Sequence, residues 1–109
     1  MSETMSLMQG TLDVLILRTL AWEPMHSYAV ARWIRERTGG TLVVEDAPLY
    51  KALHRLEHAG ALDATWGISE NNRRARYYTL TPAGRAMLRK SEADWRRYAA
   101  AVFAVLEPV

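Results

Sequence analysis

Between Pro82 and Pro108 the chain holds nothing that stops a helix, and Thr81 just ahead of Pro82 is a residue type that caps one. At 1.5 Å per residue that helix would span roughly 35–40 Å. The chain has only 109 residues, enough for one domain whose core cannot cover a rod of that length. Part of the helix must therefore pack on something else. Leu88, Trp95, Ala99, Val102 and Leu106 fall on one side of it, and a small core gains most from sharing such a stripe with a second subunit. A dimer interface is expected there, with Leu12 of the first helix beside it.

Composition narrows the remaining choices. Apolar residues make up 50% of the chain and charged ones 24%, which is a globular balance rather than a disordered or fibrous one. The absence of cysteine removes disulfides, thiolate metal sites and cysteine nucleophiles together, and it fits a reducing interior. Met1–Gly10 carries one acidic and no basic residue, so no secretory leader is expected. The longest uncharged apolar run, Ala99–Leu106, falls far short of the roughly 20 residues that cross a bilayer. The expectation is a soluble cytoplasmic protein with no membrane partner and no cofactor.

Net charge is only +2, but it is unevenly placed. Residues 1–72 carry six basic and nine acidic side chains, whereas residues 73–97 carry seven Arg and one Lys against two acids. An Arg-rich patch suits phosphate, because the guanidinium fork presents paired donors to phosphate oxygens. A solvated face would show the same pattern, and charge alone does not separate the two.

Periodicity and punctuation order the elements. Leu12, Leu15, Ile16, Thr19 and Leu20 recur at helical spacing from Gly10 to Trp22, with Asp13 and Arg18 outside, and Pro24 ends this first helix. A second runs from Ser27, as N-cap, to Thr38, and Gly39-Gly40 stops it. Leu42–Val44 reads as one short strand. A third helix opens near Asp46, tolerates Pro48 in its first turn and closes at Gly60. Its buried stripe is Leu49, Ala52, Leu53 and Leu56, which leaves Lys51, His54, Arg55 and His58 outside and Tyr50 at the margin. Leu62–Glu70 and Arg74–Leu80 form a hairpin turning at Asn71-Asn72, with a bulge expected at Gly67 and at least one of Tyr77 and Tyr78 in the core.

This order predicts a mainly α protein with a small β-hairpin. It is a winged helix-turn-helix over residues 1–80, continued by a C-terminal dimerisation helix over residues 81–109.

The residues also resemble the PadR family of transcriptional regulators, named for the phenolic acid decarboxylase repressor, from about residue 8 to residue 98. The matching segments are Gly10–Leu17 (GTLDVLIL), His26–Ala29 (HSYA), Leu49–Glu57 (LYKALHRLE), Asn71–Tyr78 (NNRRARYY) and Leu80–Gly84 (LTPAG). The resemblance points to the branch with a short C-terminal helix. It implies a homodimeric DNA-binding repressor, not an enzyme, that reads a pseudo-palindromic operator in double-stranded DNA. Ser27, Pro48 and Lys51 depart from the family's usual Gly, Ser and Pro at those places; the last two bear on which operator is read.

Within that resemblance, Tyr50, Lys51, His54 and Arg55 face bases or phosphates from the third helix, with Pro48 at its entry. Arg73, Arg74 and Arg76 form the wing's grip on backbone phosphate. Tyr28 reaches a phosphate through its hydroxyl, or packs. Trp95 either packs the dimer or stacks a small aromatic effector between subunits, as in multidrug-responsive relatives. Trp22, Trp33 and Trp66 are expected in the core or an interface. Two rivals remain. One is a protein-interaction module on the same fold. The other is a zinc hydrolase, because His54 to His58 reads H-x-x-E-H, although a third ligand and a cleft are both wanting in the sequence.

Overall fold

Glycines and prolines become helix ends where the sequence puts them. The computed structural model describes residues 10–108, and the leader reading of Met1–Gln9 lies outside these. The order is α1 (Thr11–Trp22), β1 (Met25–His26), α2 (Ser27–Arg37), α3 (Asp46–His58), β2 (Leu62–Ile68), β3 (Arg74–Leu80) and α4 (Pro82–Leu106). Both α2 and α3 stop in the same way. Gly39 N–H bonds Glu36 and Gly40 N–H bonds Arg35, while Gly60 N–H bonds Glu57 and Ala61 N–H bonds Leu56. Gly39 and Gly60 sit at φ of 61° and 82°, left-handed backbone that a side chain would strain.

Two local expectations change. Leu42–Val44 is not a strand, since only Leu42 makes an isolated bridge. Leu42 N–H instead bonds the Thr38 hydroxyl at 3.1 Å, and Val44 is buried, so the segment hangs from the end of α2. The third strand is β1, the extended link after Pro24, paired with β3 through Met25–Tyr78 and His26–Tyr77. Nor is Ser27 the cap of α2. His26 holds that place, its Nδ1 accepting the Ala29 N–H at 3.1 Å.

The sheet is antiparallel in the order β1-β3-β2. The expected bulge at Gly67 is absent, because the register runs unbroken from Leu62–Leu80 to Ile68–Arg74. Gly67 serves another purpose. A Cβ there would stand 2.9 Å from the Tyr77 ring, so the missing side chain seats that ring, whose hydroxyl donates to the Ile68 carbonyl at 3.2 Å. The hairpin turns over Ser69–Asn72, with Asn72 at φ 59°, as the Asn pair predicts.

The core lies between α1, α2 and α3 and the base of the sheet. Ile16, Leu17, Val30, Leu53 and Leu56 are at most 1% exposed, each burial contributing roughly 1.5–3 kcal/mol. Tyr78 closes the core from β3. Only Leu62 and Ala64 of the alternating β2 residues meet it. Further out, Trp66 and Ile68 are exposed, and so is Trp22 at the end of α1. Of the two places expected for them, Trp22 and Trp66 are therefore not in the core, and Trp33 packs only against the core's edge. The hairpin and α1 both outrun the hydrophobic body that would cover these rings.

At the start of α4, Thr81 Oγ accepts the Gly84 N–H at 3.0 Å and donates to the Gly60 carbonyl at 2.7 Å, while its own N–H bonds Ala61. One residue thus caps α4 and fastens it to the end of α3. Gly84 is needed for closeness, since a Cβ there would lie 2.1 Å from the Ala61 carbonyl oxygen. Leu88, expected at a dimer interface, is instead 6% exposed within its own core.

Candidate nucleic-acid interface

Helix α3 is set by its four-residue apolar stripe, and everything else on it follows from angular position. Leu49, Ala52, Leu53 and Leu56 are buried, which turns Ala47, Lys51, His54 and His58 to the opposite, solvent side. The Tyr50 and His54 rings lie 4.4 Å apart at 35°, one turn apart on the helix. Among the described residues Lys51 has no ion-pair partner. Pro48 is exposed in the first turn. The face therefore presents one free cation and one aromatic pair.

The flanks of α3 do different work. Arg55 points to α1, where its two terminal nitrogens reach the Asp13 carboxylate at 2.7 and 2.8 Å. That bond, and Asp13's charge beside it, raise the Arg55 guanidinium above its ordinary value. Asp13, expected on the outside of α1, is the residue that meets α3. On the other flank Glu57 accepts from Arg76 of β3 at 2.7 Å. Both pairs are intramolecular, and they brace the helix from two sides.

Beside α3 the hairpin carries the remaining arginines. Arg73 sits at the tip and Arg74 lies over the exposed Trp66 ring, 4.4 Å from its centre; among the described residues neither meets a carboxylate. A second brace joins Arg32 of α2 to Glu70 in the turn at 3.6 Å. Arg32 also lies 5.6 Å from the centre of the exposed Tyr28 ring. Tyr28, Tyr50, Trp66 and Arg74 line one open groove of about 400 Å³ between the start of α2, α3 and the hairpin. The basic excess of the sequence is thus divided. Three of its arginines are on the hairpin, while on α4 Lys90, Arg96 and Arg97 face Glu92 and Asp94 as exposed helix pairs, worth little each.

The positioning residues Asp13, Glu57 and Glu70 escape a reading of the sequence. Glu57 stands in H-x-x-E-H and at the end of the segment Leu49–Glu57, but neither pattern shows that it pairs with Arg76. No group of three or more metal-ligating side chains occurs among the described residues. Trp95 is 42% exposed, and its indole N–H reaches the Thr11 hydroxyl at 3.3 Å, so it ties α4 to the first turn of α1.

A helix-turn-helix whose second helix turns a polar face outward beside an arginine-tipped hairpin defines the winged-helix class of DNA-binding proteins. The sequence pattern of the transcriptional regulator PadR-like family matches residues 16–90, and the chain belongs to that family. It is a DNA-binding transcription regulator and not an enzyme. A PadR family transcriptional regulator from Eggerthella lenta shares 31% identity, with 93% of this chain and 86% of that one covered at a TM-score of 0.77. A transcriptional regulator from Clostridium thermocellum is 26% identical, with 91% and 96% covered and a TM-score of 0.82. An uncharacterised protein of Lysinibacillus sphaericus is 28% identical over 89 residues, 82% of each chain.

Proposed function

We propose that the chain is a homodimeric repressor of a pseudo-palindromic operator. The observation that carries the reading is the interrupted burial of α4. Its stripe is buried at Gly84 and Leu88, then continues on the same side through Trp95, Ala99, Val102 and Leu106, where the last two are 40% and 70% exposed. Tyr98, Phe103 and Val105 widen the exposed apolar surface. A second copy of the same helix would cover it, as isologous contacts do in two-fold dimers. Leu12, half-buried on α1, borders that seam; Leu88 supports it from within the protomer.

Such a dimer would set two α3 helices into major grooves about one DNA turn apart. Lys51 and His54 would meet base edges or phosphates, Tyr28 and Tyr50 would border the same groove, and Arg73 and Arg74 would take flanking phosphates. Arg55 and Arg76, committed to Asp13 and Glu57, would hold α3 and the wing at the reading angle instead of contacting DNA. Repression would be relieved if a small aromatic effector stacked on the open face of Trp95 and favoured a different dimer geometry, because an effector acts only through differential affinity for two states. The site of action would be the cytoplasm; no described helix is long and apolar enough to cross a membrane.

Sedimentation equilibrium joined to selection of bound genomic fragments tests this. A dimer that enriches fragments sharing an inverted repeat is expected, and a V102D/L106D variant should sediment as a monomer and lose the enrichment. A monomeric wild type, or a dimer that selects no common sequence, overturns the proposal in favour of a protein-interaction module.

A further inference from the structure

Two tryptophans, Trp22 exposed and Trp33 half-buried, find no use in the interface above. Trp22 ends α1 and Arg18 precedes it by one turn; Trp33 lies on α2 and Arg37 follows it by one turn. The two pairs, with Ala21, line a cleft of about 250 Å³ at the seam of α1 and α2. Trp22 is 72% exposed, while Trp33 rests on the core with one part of its surface and carries the Arg37 guanidinium 5.3 Å from its ring centre. Among the described residues neither Arg18 nor Arg37 meets a carboxylate, although Arg32 on the same helix meets two.

We infer that this cleft binds a small flat aromatic molecule carrying an anionic group. An indole left open to water gains by stacking a second ring upon it. Two unpaired guanidinium groups beside the same space supply planar donor forks for a carboxylate or phosphate. A neutral aromatic would use the rings alone and an inorganic anion the arginines alone; a ligand with both parts uses all four side chains. An arene carboxylate and a nucleoside monophosphate share this chemistry. The cleft lies at the C-terminal end of α1, whereas Trp95 meets Thr11 at its N-terminal end, so it is separate from the Trp95 seam and does not rest on the dimer or the operator.

Calorimetric titration of the full chain with 2-naphthoate, with adenosine monophosphate and with neutral 2-naphthylmethanol tests the inference. Saturable binding of one of the two anions, below about 1 mM, is expected, with the alcohol weaker by about tenfold or more. Whichever anion binds identifies the source. Trp22→Ala and the R18Q/R37Q pair should each weaken binding by about tenfold. These side chains are largely solvent-facing, and far-ultraviolet circular dichroism verifies that both variants fold. Trp95→Phe should leave unchanged the part of the titration that Trp22→Ala weakens. Failure of both anions to saturate, equal binding of the alcohol, undiminished binding in Trp22→Ala, or its loss in Trp95→Phe alone would each overturn the assignment.

Discussion

Replacing Arg73 and Arg74 together with alanine tests the proposed division between wing arginines that grip DNA and Arg76, which would only position the wing. Each phosphate neutralised by a protein cation contributes about 0.9 to the slope of log K against log salt. Among the described residues Arg73 and Arg74 have no carboxylate partner, whereas Arg76 is held by Glu57 at 2.7 Å, so on the proposed reading each wing would offer two phosphate contacts instead of three. In the proposed dimer two wings would make four contacts, and R73A/R74A should flatten the slope by about 3.6. Between about 50 and about 200 mM salt, that is a difference of roughly 150-fold in how far affinity falls. Fluorescence anisotropy on operator and random duplexes across this range measures both quantities. The loss should be the same for the two DNAs, because phosphate contacts carry no sequence. Arg76→Ala should scarcely move the slope and should instead lower the operator's advantage over random DNA, since the wing loses its tie to α3. An unchanged slope in R73A/R74A, or an Arg76→Ala effect on slope equal to theirs, would refute this division of labour.

Two further tests concern the frame that holds the interface. Gly84→Ala gains about 1 kcal/mol of helix propensity but drives a Cβ to 2.1 Å from the Ala61 carbonyl oxygen and 2.7 Å from Leu80 Cδ1. Backbone cannot step aside as a side chain does, and overpacking costs about 1–3 kcal/mol or more; melting at one fixed protein concentration should fall by several degrees, and a rise would disprove the close approach. Burial, the largest influence on Tyr78, raises its phenol above the ordinary value of 10.0. The folded state therefore holds the proton longer than the unfolded chain, so stability is full below pH 10 and declines as pH climbs through the folded value. Tyr78→Phe should abolish that alkaline decline in a pH series of urea melts, and an identical decline in the variant would count against it.

Much of the fold is legible because it is local. The Gly39-Gly40 and Gly60 stops, the Asn71-Asn72 turn and the Thr81-Pro82 start each depend on two or three neighbouring residues, and all appear where the sequence places them. Leu42–Val44 misleads for the same reason: β-branched residues favour extended backbone, but a strand needs a partner along several residues, and this segment bridges only at Leu42. Met25–His26, too short to signal anything, finds one in Tyr77 and Tyr78. The tryptophans show the limit of composition. Hydrophobicity predicts burial for all of them, yet burial depends on whether a neighbouring element reaches that far, and the hairpin carries Trp66 beyond the core.

The helix faces, most of the helix stops and starts, and the long α4 with more apolar stripe than one protomer can cover are readable from residue order, because these depend on spacing along the chain. Which charges are left unpaired depends instead on how the elements dock. Arg55 meets Asp13 across 42 positions and Arg76 meets Glu57 across 19; among the described residues Lys51, Arg73 and Arg74 meet no acid. An arginine's availability is set by the carboxylate that folding brings within 3 Å of it, and that distance is a property of how helices and hairpin dock, not of the residue or its neighbours in sequence.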